Sequence, residues 1–374
     1  MAKKDELVIL HIAVIDGVPA RGVECVVPNH VQYQSSIARV GLLNCGELDM
    51  KAENNKYKVF HLKELKTKKI QTLEEPFNKP DLIVFHSVYY PIFLKLAKEA
   101  QKLGVPYVVI PHGCMTQKAQ QKSKWKKIIG NALLFNCFLQ NAVAVQYLCK
   151  EEKRDSKPIN KSSIISGNGI EISQIKKEYK QNSKPFEIIY IGRYMIYHKG
   201  LDLLVDAICD IKEEMKKRNM ILSMYGVDYD DAFKHLIEEK KLEEVIQYHG
   251  PIYGQEKIQK LLNADLFIQT SRHEGQPLGV MEAIALGLPT ILTRGTNFGE
   301  IVQKEKIGWL VEFEKEELGE KIIQAYEKKE ILPEMSRMAI EYAKENFSWD
   351  KIAQNTIKTY KGLVDKKSDT GVNK

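Results

Sequence analysis

The chain has 374 residues, 44% of them hydrophobic and 28% charged, with a formal net charge of +7. That is a globular composition, long enough for two domains of ordinary size. It excludes a membrane-spanning protein, because no apolar stretch reaches the length of a span. It also excludes a disulfide framework: Cys25, Cys45, Cys114, Cys137, Cys149 and Cys209 are scattered, with no CxxC pair and no metal-ligand spacing, as fits reduced thiols in the cytosol.

In chain order, "MAKKDELVILHIAVIDG" carries charge and then a short apolar run, but Asp5, Glu6 and His11 spoil a signal peptide. It reads as a first β-strand. "DLIVFHS", "VPYVVI", "AVAV" and "SSIIS" follow as short apolar, largely β-branched runs separated by helical stretches. Between positions 100 and 150 there is no Asp or Glu, while Lys102, Lys118, Lys122, Lys124, Lys126, Lys127 and Lys150 are present. The other 49 Lys and Arg match the 49 acids. Charge this local points to an acidic surface or ligand, and no nucleic-acid partner is expected. If 117–129 forms a helix, Lys118, Lys122, Trp125 and Ile129 share one face. Such a face suits an anionic membrane surface; the plain alternative tucks Trp125 into the core.

The polar, lysine-rich stretch 171–185 reads as a linker. Beyond it, "FEIIYIG", "MILSMYG", "VIQYHG", "DLFIQTS" and "PTILT" again alternate with helices. Strands separated by helix-length patterns imply parallel sheets with right-handed crossovers, and ligands then bind beyond the strand carboxyl ends. Those places include "PHG" (111–113), "IGRYMIYHKG" (191–200), "YHGPIY" (248–253) and "SRHEGQP" (271–277). Arg193 and Lys199 stand where two cations could neutralise a diphosphate, or where two solvated charges could sit. In "GVDYDD" (226–231) the Asp-x-Asp falls before a helix and reads as capping rather than a metal site, and no metal is expected. His273-Glu274 does not open a zinc helix, because Pro277 replaces the second His.

The helix after "SRHEGQP" is apolar on every side, with Pro277 in its first turn and Gly287 then Pro289 as its stop. Its one charge, Glu282, has no Lys or Arg within the helix, so a distant side chain or a ligand must meet it. Glu274 precedes the helix, where the free N–H groups of Leu278 and Gly279 form an anion site and Gly275 lets a ligand approach. The last ten residues, "DKKSDTGVNK", are expected to be disordered.

The Glu274-x7-Glu282 spacing, the "GR…KG" stretch with Arg193 and Lys199, "NGI" (168–170) and "FSWDKIAQNTIKTY" (347–360) together resemble glycosyltransferase family 4. These are retaining, nucleotide-sugar-dependent enzymes of the GT-B fold, and the resemblance runs from about residue 5 to 365. It implies two Rossmann-like α/β domains with sheets facing an interdomain cleft. The acceptor side would span 1–172 and the nucleotide-sugar side 185–346, with a terminal helix over 347–365 crossing back. By the same resemblance Glu282 meets the ribose hydroxyls, and Arg193, Lys199 and the Leu278 and Gly279 amides hold the diphosphate. Glu274 with Gly275 lies beside the donor sugar, Ile252 contacts the nucleotide, and His112 contacts the donor sugar rather than capping a helix. Gly22 lies in a loop like the family's glycine loop. Arg21 precedes it where many members have a second glycine, which suggests acceptor recognition.

The expectation is therefore a metal-independent hexosyltransferase with no cofactor, using a nucleoside-diphosphate sugar of the UDP type. Its acceptor would be a saccharide carried on a polyprenyl diphosphate, as in bacterial surface polysaccharide synthesis. It would be cytoplasmic and peripheral on the inner face of the membrane. The alternative is a nucleotide-sugar epimerase of the same fold. A Rossmann dehydrogenase is disfavoured by the missing GxGxxG after the first strand.

Overall fold

Apolar, β-branched runs become two wholly parallel sheets, as the alternation of strand and helix patterns demands. The computed structural model describes residues 6–18, 22–50, 56–65, 67–121, 124–172, 177–178 and 185–371. The chain forms two units. One runs to Gly169 and resumes at Trp349, and the other spans Ile170–Ser348.

In the first unit β1 (Val8–Ala13), β2 (Arg39–Asn44), β3 (Lys58–His61), β4 (Leu82–His86), β5 (Tyr107–Ile110), β6 (Ala144–Tyr147) and β7 (Ser163–Ile165) lie in the order β3-β2-β1-β4-β5-β6-β7. The order reverses between β1 and β4, which makes that crevice the natural ligand position. The sequence reading found five of these strands and missed β2 and β3. Phe85 anchors the core, with Phe93, Tyr107 and Phe138 at ring distances of 5.3, 5.5 and 5.3 Å. Truncating it to Ala would cost about 3–5 kcal/mol. The helix Pro91–Lys102 sets Pro91 in its first turn and buries Phe93, Leu96, Ala97 and Ala100, an i, i+3, i+4, i+7 stripe.

The helix Trp349–Gly371 belongs to this unit, burying Ala353, Ile357 and Tyr360. It continues to Gly371, so most of the tail expected to be disordered is helical. "NGI" and "FSW" prove to be one packing contact. Trp349 lies so close to Gly169 that a Cβ there would come within 2.4 Å of the indole, and His30 meets the same ring edge-on at 4.8 Å.

The second unit holds β8 (Phe186–Ile191), β9 (Met220–Tyr225), β10 (Ile246–His249), β11 (Leu266–Gln269), β12 (Thr290–Thr293) and β13 (Gly308–Val311), in the order β10-β9-β8-β11-β12-β13. Its switch point lies between β8 and β11. Here β13 was missed. The helix Leu201–Lys217 covers one face through Leu201, Leu204, Val205, Ile208 and Met215. Within the segment read as a linker, Lys177 is buried and donates from Nζ to the carbonyls of Leu262 (3.0 Å) and Ala264, so this stretch is anchored to the second unit. Residues 173–176 and 179–184 of that segment lie outside the described residues.

Candidate active site

At the second switch point two strand ends supply the polar groups. Beyond β8 the chain passes through Arg193 into a short helix, Ile196–Lys199, and then Gly200. Gly200 has φ +64°, and a Cβ there would lie 2.0 Å from the Thr270 carbonyl oxygen, so only glycine fits. This close approach brings Lys199 to the end of β11. Lys199 Nζ donates to Glu274 Oε1 at 2.6 Å, with both side chains 12% exposed. The same oxygen accepts from Ser271 Oγ at 2.7 Å and Gln269 Nε2 at 3.2 Å. Burial alone would raise the Glu274 carboxyl. The Lys199 ammonium, His198 and the hydrogen bonds from Lys199 and Ser271 outweigh it and hold the carboxyl below the usual range. Burial pushes His198 down to about 4, with Lys199, His273 and Arg193 overcoming the pull of Glu274.

Arg193 differs from its neighbour. Its side chain is partly buried, and among the described residues no carboxylate pairs with it. Lys199 was expected to serve a diphosphate together with Arg193. In the structure its ammonium pairs with Glu274, whereas Arg193 has no carboxylate partner among the described residues. Arg272 is structural: it grips Asp202 through two bonds of 2.8 and 2.7 Å and lies over the rings of Tyr197 and Phe313.

The helix Leu278–Leu286 starts one residue later than expected, with Pro277 as its cap, and stops at Gly287. It buries Val280, Met281, Ala283, Ile284, Ala285 and Leu286, while Leu278, Gly279 and Glu282 are partly exposed. Gly279 sits against the end of β8, where a Cβ would be 3.3 Å from the Ile191 oxygen. The helix start and Arg193 therefore belong to one neighbourhood. Asn297, in a left-handed conformation with φ +64°, donates to the carbonyls of Glu274 (2.7 Å) and Gly275 (3.0 Å) and pins the loop.

Two residues expected at the nucleotide have partners within the protein. The partner of Glu282 in the structure is Lys257, whose Nζ lies 2.6 Å from Oε1; it comes from the helix Gly254–Asn263. A distant side chain thus meets the carboxylate, one of the two kinds of partner that its isolation within the helix called for. Ile252, assigned to the nucleotide, is 8% exposed and lies in the apolar cluster with Tyr225, Leu261 and Val280, so its side chain serves packing.

In the first unit His112 follows β5 in a turn with φ +51° and bonds through Nε2 to His86 Nδ1 at 3.0 Å. Gly22 opens the helix Gly22–Gln34, with open space where a Cβ would be. Arg21 lies outside the described residues. In the second unit Asp228 accepts from the amides of Phe233 (3.2 Å) and Lys234 (3.3 Å), the capping role read from the sequence. All six cysteines are free thiols.

Ser271, Gln269, Asn297 and Lys257 are site residues that the sequence reading missed. Only Asn297 carried a signal, since asparagine is the side chain that best tolerates a left-handed turn.

Residues 171–346 match the model of the family described as Glycosyl transferases group 1. The second unit is a group 1 glycosyltransferase domain. Over 155 residues the chain is 30% identical to WcaL of Escherichia coli, a glycosyltransferase assigned to colanic acid biosynthesis, covering 39% of this chain and 37% of that protein. It is 26% identical to mannosylfructose-phosphate synthase of Agrobacterium fabrum over 47% of this chain and 40% of that one. The chain thus spans about two fifths of the length of these curated relatives. Sucrose-phosphate synthase from Thermosynechococcus elongatus superposes with a TM-score of 0.74 at 16% identity, over 96% of this chain and 99% of that one. The Anabaena protein HepE, solved in complex with UDP, does so at 0.72 and 17%, over 95% and 100%. The fold is GT-B, built of two parallel-sheet α/β domains.

Proposed function

We propose that the group 1 domain holds a nucleoside-diphosphate sugar and that the protein transfers the sugar, with retention and without a metal, to an acceptor hydroxyl. One observation carries this reading. Arg193 stands without a carboxylate partner beside the neutralised Lys199–Glu274 pair and the amide-bearing start of the Leu278–Leu286 helix. An isolated guanidinium and free helix amides favour a phosphate, and such groups act most strongly where charge develops on the leaving group. The departing phosphate then takes the acceptor proton on the face it leaves, so no dedicated base is required. Glu274, held by three donors, is the group this reading assigns to the sugar hydroxyls. The UDP bound by the Anabaena neighbour supports a UDP-sugar as the first donor to try. The test is a panel of nucleotide sugars incubated with pure protein and EDTA. Slow release of nucleoside diphosphate and free sugar, first formed with the donor's anomeric configuration, is expected. Epimerised nucleotide sugar, or activity lost with EDTA and restored by manganese, overturns the reading.

The acceptor side is read from the lysine-rich segment. Trp125 is 75% exposed, which removes the alternative of a tucked core tryptophan, and Ile128, Ile129, Leu133 and Leu134 are exposed with it. Gln117–Gln121 and Lys124–Gly130 are helical, within the stretch expected to form one helix; residues 122–123 and the side chains of Lys124 and Lys126 lie outside the described residues. Among the described residues no helix is long and apolar enough to cross a membrane. An exposed apolar patch within an acid-free, lysine-rich segment fits peripheral docking on anionic lipid, where a polyprenyl-diphosphate-linked saccharide would be met. The WcaL likeness supports a role in surface polysaccharide synthesis. Co-sedimentation with anionic liposomes should fall when Lys118, Lys122, Lys124 and Lys126 become Gln, and also for Trp125→Ser. Equal binding of parent and variants removes the docking.

A further inference from the structure

The first switch point holds a row of polar rings of which only His112 has been given a role. His11 lies in β1, His86 ends β4 and His112 follows β5. His11 Nδ1 and His86 Nε2 are 2.8 Å apart, and His86 Nδ1 and His112 Nε2 are 3.0 Å apart. The rings stack in succession at 5.1 and 5.3 Å. The row ends on Gln34, whose Oε1 is 3.0 Å from His11 Nε2. His11, His86 and Gln34 are buried, and His112 is partly exposed.

We propose that Gln34, His11 and His86 act as positioning residues that fix the tautomer of His112, so that it offers Nδ1 as a hydrogen-bond acceptor to a sugar hydroxyl. The contact with sugar rests on the role given to His112 above; the relay itself does not.

The direction follows from counting protons. A neutral imidazole has one N–H and one lone-pair nitrogen. Burial keeps these rings neutral: it lowers His11 and His112 to about 3, assisted by His30, and His86 well below its ordinary value. Gln34 Oε1 can only accept, so His11 must carry its proton on Nε2. Its Nδ1 then accepts, and His86 must donate from Nε2. His86 Nδ1 accepts in turn, and His112 must donate from Nε2. Each ring hands the same orientation to the next, and His112 Nδ1 is left with a lone pair. Among the described residues that nitrogen has no hydrogen-bond partner, and its ring is the partly exposed one. Reversing the row would keep the ring-to-ring bonds but face the His11 Nε2 lone pair with Gln34 Oε1, leaving two buried acceptors without a donor at a cost of about 1–3 kcal/mol. His30 lies against His86 at 5.8 Å but outside the hydrogen-bonded row, with its Nε2 at 3.1 Å from Asn168 Oδ1.

The experiment is long-range proton–nitrogen correlation NMR on the full chain with ¹⁵N-labelled histidine, with His112 assigned by its loss in His112→Gln. Unliganded protein should show Nδ1 of His112 unprotonated and Nε2 protonated. A proton on Nδ1 overturns the proposal, and this reading is taken on the unaltered protein, the variant serving only for assignment. Gln34→Met, near in shape but without the acceptor, should mix the tautomers and draw the two His112 signals together; unchanged signals overturn the relay. Adding the nucleotide sugar that the panel identifies should then shift Nδ1 upfield as it accepts a hydroxyl. No shift removes the sugar contact and leaves the tautomer relay standing, so the two failures are told apart.

Discussion

At the switch point of the first sheet, His11, His86 and His112 stack as neutral rings; at that of the second, Lys199 and Glu274 pair as ions. Both sheets are parallel and both crevices are partly shut off from water, so the difference lies in chemistry and not in architecture. A neutral row has directed donors and acceptors but no net field, which suits hydroxyl groups. An ion pair beside an unpartnered Arg193 gives a local field that suits a phosphate. The comparison also predicts different vulnerabilities. Breaking a buried pair strands a charge, while breaking a neutral row strands a hydrogen bond, which costs less.

The largest effect is therefore expected at Lys199. Lys199→Met leaves the buried Glu274 carboxylate with only Ser271 and Gln269, at a cost of about 3–5 kcal/mol in urea unfolding. Adding Glu274→Gln should recover most of that stability without restoring sugar transfer. If the single variant loses less than about 1 kcal/mol, the pair is solvated and the contrast between the units fails.

Arg193 should behave in the opposite way. It holds no carboxylate, so Arg193→Ala should change stability by no more than about 0.5 kcal/mol. Donor turnover should fall about 100-fold, because its charge matters as the phosphate leaves. Turnover within about threefold of the parent removes the assignment.

Much of this arrangement was legible in the sequence, for reasons that can be stated. The strand–helix alternation, the Gly287 stop and the Glu274-to-Glu282 interval are local patterns, and local patterns survive folding. The Lys199–Glu274 contact spans 75 positions and Lys257–Glu282 spans 25, and no periodicity records such pairings. The short strands Arg39–Asn44, Lys58–His61 and Gly308–Val311 were missed because four to six residues carry little pattern. His11 and His86 looked like single histidines in apolar strands, and only the register of β1 beside β4 set them together.

A smaller effect separates the two roles open to Glu282. Glu282→Gln should weaken nucleotide binding by about 1–3 kcal/mol in calorimetry if the carboxylate serves the ribose. Lys257→Met is the comparison, since the Lys257–Glu282 pair is partly exposed and worth about 0–1 kcal/mol of stability. If both variants bind nucleotide as the parent does, Glu282 serves to hold Lys257 and the ribose role falls.

The response to acid is built from small steps, one for each histidine, and it distinguishes the units by its pH range. Burial lowers His11, His30 and His112 from an ordinary 6.5 to about 3, 4 and 3. Below pH 6.5 the unfolded chain takes up protons that the folded unit refuses, so stability falls from there toward pH 4. Each such histidine contributes at most about 1.4 kcal/mol per pH unit. Glu274 lies below its ordinary 4.5, so what it contributes is intact above pH 4.5 and is lost only as the solution passes below that. Between pH 7 and 5 the first unit, with four lowered histidines, should weaken more than the second, where His198, lowered to about 4, and the lowered His249 give a smaller loss. Hydrogen exchange should accordingly show faster opening of the amides in β1, β4 and β5 at pH 5, after correction for intrinsic rates, with a smaller change in those of β8 and β11. Equal loosening of both sheets, or of the second alone, would mean that the buried histidines already carry their protons, and the neutral row would have to be abandoned.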